Sequence, residues 1–416
     1  MNNVIISLSN NLCTGCGICE DICPVKAIQI VKEKGVYRPQ INNDFCLSPK
    51  CGRCLKVCPG VGIKINSLST LFYKDNSKQY DRYIGYYFSL YSGYSNDESI
   101  RLHGASGGIV TQFLIYLLQK KIIDGAVVTG FSKEDHITPV SYLAKTKEEL
   151  LLAKSSKYCP VSLNRIGNEI SQSKGKYVVV GLPCHIHGFR KRALIDKQMS
   201  ERIIGYFSIY CSSNRTFYAQ TYLLKKYHFL KKDISYFAYR DNGCLGNMVI
   251  QTPQKDKEIP FKYYYSYLRS FFKPRRCLTC IDHYGELADV CFGDLHIPPY
   301  SNDKIGISSW IVRNSIFNDF FIAAQKEGWI TMNDLNPTVL NESQKEMLYS
   351  KKRKVRALMT LDKILNKEVV EYDIELNEKP RLKDYLSVIS VMIQRFIGYH
   401  KKLWFLIDWS NFKKKI

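Results

Sequence analysis

Two kinds of segment that would carry a protein out of the cell or across a membrane are missing from this sequence. The opening stretch MNNVIISLSN has no basic region, no long apolar core and no small-residue cleavage site, so we expect no secretory signal peptide. No run reaches eighteen uninterrupted apolar residues, which argues against a membrane-spanning helix. We therefore expect a cytoplasmic protein whose cysteines stay reduced.

Acidic residues are scarce beside basic ones, with 38 Asp and Glu against 60 Lys and Arg and a formal net charge of +22. Such a field attracts anions, which include nucleic acid, acidic lipid, polyanionic cofactors and acidic partner proteins. Cysteines are neutral in that sum, however, and a cluster held by four thiolates carries net negative charge. The charge alone therefore does not predict nucleic-acid binding, and we expect none. Hydrophobic residues at 45% exclude disorder for most of the chain.

Eight of the fifteen cysteines fall in two runs near the N-terminus. The first, CTGCGICEDICP, has the spacing Cys-x2-Cys-x2-Cys-x3-Cys-Pro of a bacterial [4Fe–4S] protein, in which the fourth cysteine binds the other cluster. The second, CLSPKCGRCLKVCP, is two residues longer in its first gap but keeps the last three cysteines in register. We predict two [4Fe–4S] clusters. The ligands are Cys13, Cys16, Cys19 and Cys58 for cluster one, and Cys46, Cys51, Cys54 and Cys23 for cluster two.

Zinc is the main alternative for these cysteines. A zinc site pairs two Cys-x2-Cys knuckles across a longer spacer and needs four ligands, whereas eight are present here. Two Cys-Pro endings, with the apolar stretches AIQIV and VYRPQI between the runs, favour the pseudo-symmetric ferredoxin fold. Two clusters in such a fold form a short path for electrons.

Changes in composition divide the chain into four parts. An α+β ferredoxin-like module spans 1–66, a polar linker 67–82, a larger α/β domain 83–336, and a helical, basic C-terminal tail 337–416. The α/β assignment rests on alternation: GGIVTQFLIYLLQKK has helical spacing, IIDGAVVTGF and RIIGYFSIYCSS resemble strands, and KYVVVGLPCHIHGFRKR reads as strand, turn and helix.

The tail leaves two interpretations open. It contains the basic run SKKRKVR and ends in an apolar, aromatic stretch that carries eight Lys or Arg and two Asp between 381 and 416, a net +6. One interpretation is a basic amphipathic helix that makes peripheral contact with an anionic membrane. The other is a C-terminal helix packed on the body with a solvated basic face.

A further pair, Cys277 and Cys280 in RRCLTC, is ambiguous by itself. Cys-x2-Cys is compatible with zinc, a redox disulfide or a cluster. Ferredoxin clusters on the same chain favour a third cluster, which requires two more thiolates from elsewhere in the fold.

Seven short blocks, in order, resemble the family of coenzyme F-420 hydrogenase/dehydrogenase beta subunits over roughly 83–310. They are GASGGIVTQFL, SSKYCPVSL, GLPCHIHGFRK, IYCSS, AYRDNG, RRCLTC and ADVCFGDLHIP. The resemblance implies a flavoprotein with its own [4Fe–4S] cluster, whose ligands would be Cys184, Cys211, Cys277 and Cys280. It also leaves Cys159, Cys244 and Cys291 as ordinary buried thiols.

The implied flavin, FAD rather than FMN, needs an anion site and polar groups near its ring. Gly107 and Gly108 open a predicted helix whose amides favour phosphate, or they serve only helix–strand packing. Lys157 and Arg240 are candidates to neutralise charge on the flavin, with a surface ion pair as the alternative. Asp294 either binds a cofactor hydroxyl or caps a turn.

We therefore predict an iron–sulfur flavoprotein oxidoreductase that moves electrons between clusters and a flavin, which exchanges hydride with a soluble carrier or small substrate. The alternative is an electron-transfer subunit without its own substrate, which relays electrons to a redox partner protein. The sequence departs from the family pattern at Gly-Leu-Pro-Cys-His, at Cys-Ser-Ser and at Leu295 and His296. All three departures lie near the predicted cofactors, so the resemblance does not identify the hydride carrier.

Overall fold

The structure is a computed structural model that describes residues 2–374, 376 and 378–412, without the side chains of 411 and 412. None of the helices in these ranges is both long enough and apolar enough to cross a lipid bilayer. Three of the lysines counted in the predicted tail, at 413–415, lie outside the described residues.

The N-terminal module is built around one β-hairpin. Strands Ile28–Glu33 and Val36–Ile41 pair antiparallel, with Glu33 opposite Val36 across a two-residue turn. Both turn residues, Lys34 and Gly35, have positive φ, as the favoured two-residue hairpin turns require. Short helices Ile5–Ser9, Ile18–Asp21 and Arg53–Lys56 surround the hairpin.

The predicted linker, 67–82, overlaps a helix that spans Ile65–Tyr73. Ile65 and Tyr73 are buried, and the Tyr73 hydroxyl donates to the Leu287 carbonyl at 2.9 Å, more than two hundred positions along the chain. This stretch therefore packs on the larger body. The boundaries drawn from the sequence stay a prediction.

A mixed sheet forms the centre of the larger body. In the described part of the chain it has eight strands, and the fourth to the seventh of them, counted in the order given next, are parallel to one another. From one edge to the other the strands are Ile330–Asp334, Ser89–Ser95, Ser308–Val312, Val290–Asp294, Ile203–Ile209, Tyr177–Gly181, Gly125–Phe131 and Pro139–Ala144.

Successive side chains of these strands point to opposite faces of the sheet and pack into two different hydrophobic cores. On the strand Tyr177–Gly181, Val178 joins a core with Phe113 and Phe321, whereas Val179 joins a core that includes Ile18 of the N-terminal module. The first face is covered by helices Ile109–Gln119 and Ser315–Lys326, and the second by helix Pro183–Ala193 and the ferredoxin-like module. The module is thus part of the second layer of the fold.

Other helices surround this framework. They are Glu98–Leu102, Lys147–Leu152, Ile166–Gln172 and Lys197–Arg202. A separate antiparallel sheet of strands Tyr236–Asp241, Asn247–Gln251 and Asp256–Pro260 packs with helices Phe217–Lys226 and Phe261–Leu268 in a third core. Minor strand pairs are Gln79–Asp81 with Gly85–Tyr87, and Gly62–Ile63 with Glu371–Tyr372.

The region predicted as a basic tail is helical but is not separate from the body. Its helices are Pro337–Ser343, Lys345–Tyr349, Val355–Ile364, Leu382–Tyr399 and Phe405–Phe412, with a π-helical turn at Ser350–Lys354. The basic run falls on that turn, where Lys351 is 3% and Arg353 9% exposed. These two cations therefore face the interior of the protein, within the region predicted as a basic helical tail.

Candidate metal centres

The first predicted cysteine set comes together at the contact between the module and the body. Cys13, Cys16, Cys19 and Cys58 line one cavity of about 20 Å³, with apolar walls that include Ile18, Ile30 and Val57. Backbone amides point at the sulfurs, from Gly15 to Cys13 (3.4 Å) and from Gly60 to Cys58 (3.3 Å). N–H donors near sulfur and dry walls are what a thiolate-bound cluster requires.

Gly17, inside this run, is fixed by the body. It has φ +86°, and a Cβ there would lie 2.2 Å from Ser162 Oγ and 2.7 Å from the Asn164 amide nitrogen. The neighbouring Cys16 carbonyl accepts from the Leu163 amide at 2.9 Å. The loop that carries the first set is therefore clamped to the body.

The second set lies on the outer side of the module. The Cys54 thiol is close enough to Cys23 and Cys46 for their charges to raise its pKa, although burial is the larger cause. Asn3 Nδ2 donates to Cys46 Sγ at 3.6 Å, and the Ala27 amide donates to Cys23 Sγ at 3.3 Å. Cys23 therefore lies near Cys54 and Cys58 lies near Cys16, each beside a cysteine of the other run, while the full ligand sets stay a prediction.

The third set is assembled from three distant parts of the chain. Cys184 lies in the first turn of helix Pro183–Ala193, directly after the strand Tyr177–Gly181. Cys211 follows the adjacent parallel strand Ile203–Ile209, so both cysteines lie at the carboxyl edge of the sheet. Cys277 and Cys280 are supplied by the turn Arg275–Thr279 and the residue after it.

One cavity of about 270 Å³ is lined by all four of these cysteines and also by Cys13 of the first set. The charge of Cys16 acts on Cys184, and that of Cys54 acts on Cys19. The three sets therefore follow one another in space in the order two, one, three.

The third set fits a cluster chemically. Burial raises the pKa of Cys211 to about 12, and burial with the nearby Cys211 charge raises the pKa of Cys184 well above its ordinary value. Cys184 and Cys211 are thiolates together, beside two more cysteines in the same cavity, only when a strongly cationic group is shared among them. The Asn214 amide also donates to Cys277 Sγ at 3.5 Å.

All fifteen cysteines lie in the described part of the chain and none forms a disulfide. Within that part, no three His, Cys, Asp or Glu side chains converge as the ligands of one metal ion do. A four-iron cube holds its thiolates at separate corners, so its ligands need not converge on one point.

Arg276 joins the first and third sets. This side chain is 6% exposed and donates from Nε to the Gly60 carbonyl (2.9 Å) and from Nη2 to the Pro59 carbonyl (3.1 Å), directly after Cys58. Lys191 Nζ donates to the Cys58 carbonyl at 2.7 Å. Both cations fix the spacing between the two cysteine sets, and neither was singled out from the sequence.

Lys351 is a third cation that was not singled out from the sequence. It lines the large cavity, and although burial lowers its pKa, the charges of Cys280, Cys211 and Cys277 raise it above the ordinary value. A charged ammonium group thus faces the third set. The available signal was the run SKKRKVR, whose charge pattern resembles that of a solvated surface.

The two histidines beside Cys184 have structural partners. His185 accepts from the Leu182 amide at Nδ1 (3.2 Å) and contacts the Val161 carbonyl at Nε2 (3.2 Å), and burial lowers its pKa to about 4. His187 Nε2 lies 2.8 Å from Asp282 Oδ2 in a buried pair. Burial raises the pKa of Asp282, but His187, Arg313 and Lys351 together outweigh that effect and hold it below its ordinary value.

Three of the predicted flavin residues lie in one polar group. Arg240 Nη1 pairs with Asp294 Oδ2 at 2.7 Å, and the Arg240 carbonyl accepts from Ser155 Oγ. Lys157 Nζ donates to the carbonyls of Ala153 (2.7 Å), Lys154 (2.6 Å) and Ser155 (3.1 Å), and burial lowers its pKa to about 7. Each charged group therefore already has a partner within the protein.

Asp294 ends a strand that is parallel to the strand leading to Cys211, so the Arg240–Asp294 pair shares the carboxyl edge with the third set. Gly107 packs against two strands of the large sheet. Its amide donates to Ser308 Oγ at 2.9 Å, and a Cβ at this position would lie 2.6 Å from the Gly93 carbonyl oxygen. Gly108, at φ +75°, precedes helix Ile109–Gln119. The 270 Å³ cavity borders none of these residues.

The three remaining cysteines have separate surroundings. Cys159 and Cys291 are fully buried, and burial raises the pKa of Cys159 to about 12. Cys244 is half-buried, with its sulfur 3.9 Å from Arg240 Nη2.

Comparison with family models gives three matches. Two models describe the N-terminal and the C-terminal parts of the "Coenzyme F420 hydrogenase/dehydrogenase, beta subunit", and they match residues 90–166 and 174–338. A 4Fe-4S dicluster domain matches residues 12–62. These matches confirm the ferredoxin-type module and a chain built from iron–sulfur and beta-subunit parts.

Individual relatives are more distant. The "Coenzyme F420-dependent sulfite reductase" of Methanocaldococcus jannaschii is 28% identical over 74% of this chain, which spans 45% of that protein. The beta subunit of the coenzyme F420 hydrogenase of Methanothermobacter thermautotrophicus is 29% identical over 52% of this chain and 75% of its own length. A chain of the F420-reducing [NiFe] hydrogenase complex of Methanosarcina barkeri shares the fold, with a TM-score of 0.55, 21% identity, and coverage of 70% of this chain and 98% of that chain.

Proposed function

Because the chain belongs to the family of coenzyme F420 hydrogenase/dehydrogenase beta subunits, we propose that it is an iron–sulfur flavoprotein oxidoreductase that links single-electron transfer to hydride exchange with a soluble carrier. One observation carries the proposal. Four cysteines from three parts of the chain line one cavity, and Cys13 of the ferredoxin-type module lines it too.

The three cysteine sets would hold three [4Fe–4S] clusters, which supply one-electron transfer when bound. Their order in space supports a path from the outer side of the module to the carboxyl edge of the large sheet. Arg276 and Lys191 support it by fixing the backbone after Cys58 against the body. Lys351 supplies positive charge where reduction adds negative charge.

A flavin, when bound, supplies the exchange between a two-electron hydride and single electrons. The proposed contacts are Gly107, Gly108, Lys157, Arg240 and Asp294. Arg240 and Asp294 are best placed, because they lie on the same sheet edge as Cys211. Lys157 would hold the backbone at Ser155, whose hydroxyl fixes the Arg240 carbonyl.

The names of two relatives support the class of carrier. Both are named for coenzyme F420, so we propose a soluble hydride carrier of that kind. The sulfite substrate is not carried over, since this chain spans 45% of that relative. Because several relatives are named as subunits, we further propose a redox partner protein.

The test is anaerobic purification followed by iron, sulfide and flavin analysis. We expect about twelve iron atoms per chain, from three four-iron cubes, and one flavin. Cys277→Ala is expected to leave about eight iron atoms, whereas the control Cys291→Ala, which alters a buried thiol outside the three sets, keeps about twelve. About eight iron atoms in the unmodified protein would remove the third cluster.

One observation favours a second candidate, an electron relay without its own substrate. The charged groups of the predicted flavin residues are engaged within the protein, and the 270 Å³ cavity lies at the cysteines. Anaerobic addition of reduced coenzyme F420 separates the two functions. Bleaching of a bound flavin supports the oxidoreductase, and protein that contains clusters but no flavin supports the relay.

A further inference from the structure

We propose that the outward face of helix Leu382–Tyr399 binds the surface of an anionic lipid bilayer. The proposal does not depend on the redox function, because it concerns a surface whose residues are separate from the three cysteine sets.

The helix carries a continuous apolar stripe on its solvent side. Its residues are Leu382 (76% exposed), Leu386 (59%), Ile389 (47%), Ile393 (58%) and Phe396 (58%). Steps of four and three residues keep these side chains within an arc of about 80° on the helix, over a length of about 21 Å from the first to the last of them. A contiguous exposed apolar patch of this kind marks an interaction site.

The opposite side of the helix is fixed to the body. Asp384, 1% exposed, accepts from Tyr349 Oη and from Arg353 Nη2 (3.1 Å). Val388 is buried, and a Cβ at Gly398 would meet the Phe271 carbonyl oxygen at 1.9 Å. The stripe therefore cannot turn inward without breaking these contacts.

Charge identifies the occupant of this face. The cations Arg381, Lys383, Lys401 and Lys402 are exposed around the stripe. Both acids of residues 381–410 are engaged by the body: Asp384 as above, and Asp408 by Tyr222 Oη (2.6 Å) and Lys226 (2.5 Å). An outward face that combines large apolar side chains with unopposed cations is complementary to a bilayer of acidic lipids.

The same charges disfavour a second copy of the chain. Helices that pair along such a stripe usually set opposite charges beside the seam. Here two copies would bring Lys383 and Lys401 towards like charges, which costs binding energy. A partner protein with an acidic helix remains an outcome that the experiment must detect.

The experiment is co-sedimentation of the anaerobically purified full chain with vesicles. One vesicle type is phosphatidylcholine alone, and the other is equal parts of phosphatidylcholine and phosphatidylglycerol. We expect binding to the second type only, weakened by salt. Lys401→Gln with Lys402→Gln should weaken it roughly 30-fold, since each cation near an anionic surface contributes about 1 kcal/mol.

A matched pair of variants tests the stripe. The double variant Ile389→Ser with Ile393→Ser is expected to bind acidic vesicles at least roughly tenfold more weakly, because two aliphatic side chains no longer enter the bilayer surface. Ile316→Ser with Ile322→Ser changes isoleucines that are just as exposed (59% and 49%) on another helix, and should bind as the unmodified chain does. Unchanged iron content would show that all variants are folded.

Three results would overturn the proposal. The first is unmodified protein that stays in the supernatant with acidic vesicles. The second is equal binding to both vesicle types. The third is an occupant of the stripe other than lipid. Such an occupant is either a second copy, seen by light scattering as a dimer that the Ile389 and Ile393 changes dissociate, or a protein partner captured stoichiometrically that blocks vesicle binding.

Discussion

Replacing Lys351 by methionine removes a buried positive charge while keeping a side chain of similar length. Lys351 is 3% exposed and faces the cavity shared by Cys211, Cys277 and Cys280. A [4Fe–4S] cluster bound in this cavity would gain one negative charge on reduction, and the nearby ammonium group would stabilise that charge. The substitution should therefore lower the reduction potential of the third cluster.

The size of the shift follows from Coulomb's law. At a separation on the order of 6 Å and an effective dielectric constant of about 20, the interaction is roughly 3 kcal/mol. For a one-electron couple this corresponds to roughly 120 mV, at 59 mV per tenfold change in the equilibrium constant. The charge of Lys351 also helps to lower the pKa of nearby Lys273, so Lys273 binds a proton more readily in the variant and offsets part of the lost charge. We therefore expect a decrease of about 50–120 mV.

The assay is a redox titration of the full chain monitored by electron paramagnetic resonance, with iron content measured on the same samples. Lys345→Met is the matched control, because Lys345 is 67% exposed and pairs with Glu342 at 3.0 Å on the surface. Its effect should stay within roughly 10 mV, since solvent and salt screen it. An unchanged potential in the Lys351 variant, with full iron content, would refute the assignment of this charge to the third cluster.

Two further predictions concern stability. Gly17→Ala should lower the free energy of unfolding by about 2–4 kcal/mol, because the added Cβ would meet Ser162 and the Asn164 backbone. The control Gly328→Ala has a similar φ of +78° but nothing within 4 Å of the added Cβ, so it should lower the free energy of unfolding by only about 1 kcal/mol. If anaerobic denaturant titrations gave equal losses of unfolding free energy for the two variants, they would contradict the close contact of the Gly17 loop with the body. Burial raises the pKa of Glu286 from 4.5 to about 7. Between these pH values the folded state binds more protons than the unfolded state, so the free energy of unfolding falls by up to about 3 kcal/mol as the pH rises from 4.5 to about 7. Glu286→Gln should flatten this dependence, and parallel stability–pH curves for the two proteins would rule the assignment out.

Several elements could be predicted from the sequence because their signals are local. The apolar runs at Gly125–Phe131, Tyr177–Gly181 and Ile203–Ile209 are strands, and the helical spacing after Gly108 is the helix Ile109–Gln119. Buried parallel strands have continuous apolar runs, which makes them recognisable without tertiary information. The family resemblance and the ferredoxin-type module are confirmed by the family models. The site residues and domain boundaries stay predictions.

In two segments composition does not report burial. The stretch after Ser67 is polar, yet Tyr73 lies in the core and donates to Leu287. The run SKKRKVR has the composition of a solvated surface, yet Lys351 faces the third cysteine set. A buried cation is stable only opposite negative charge, and that charge comes from thiolates more than seventy positions away.

By itself, the sequence determined which atoms can bind iron in the N-terminal runs, because a small cube needs ligands at short, fixed spacing and that spacing is written along the chain. The family resemblance implied that Cys184 and Cys211 join the Cys277 pair, and the four line one cavity. Only the tertiary structure decided that Arg276 and Lys351 supply their charges there, and which side of the last long helix faces solvent. Each of these depends on segments far apart in sequence that the parallel sheet and its layers bring together.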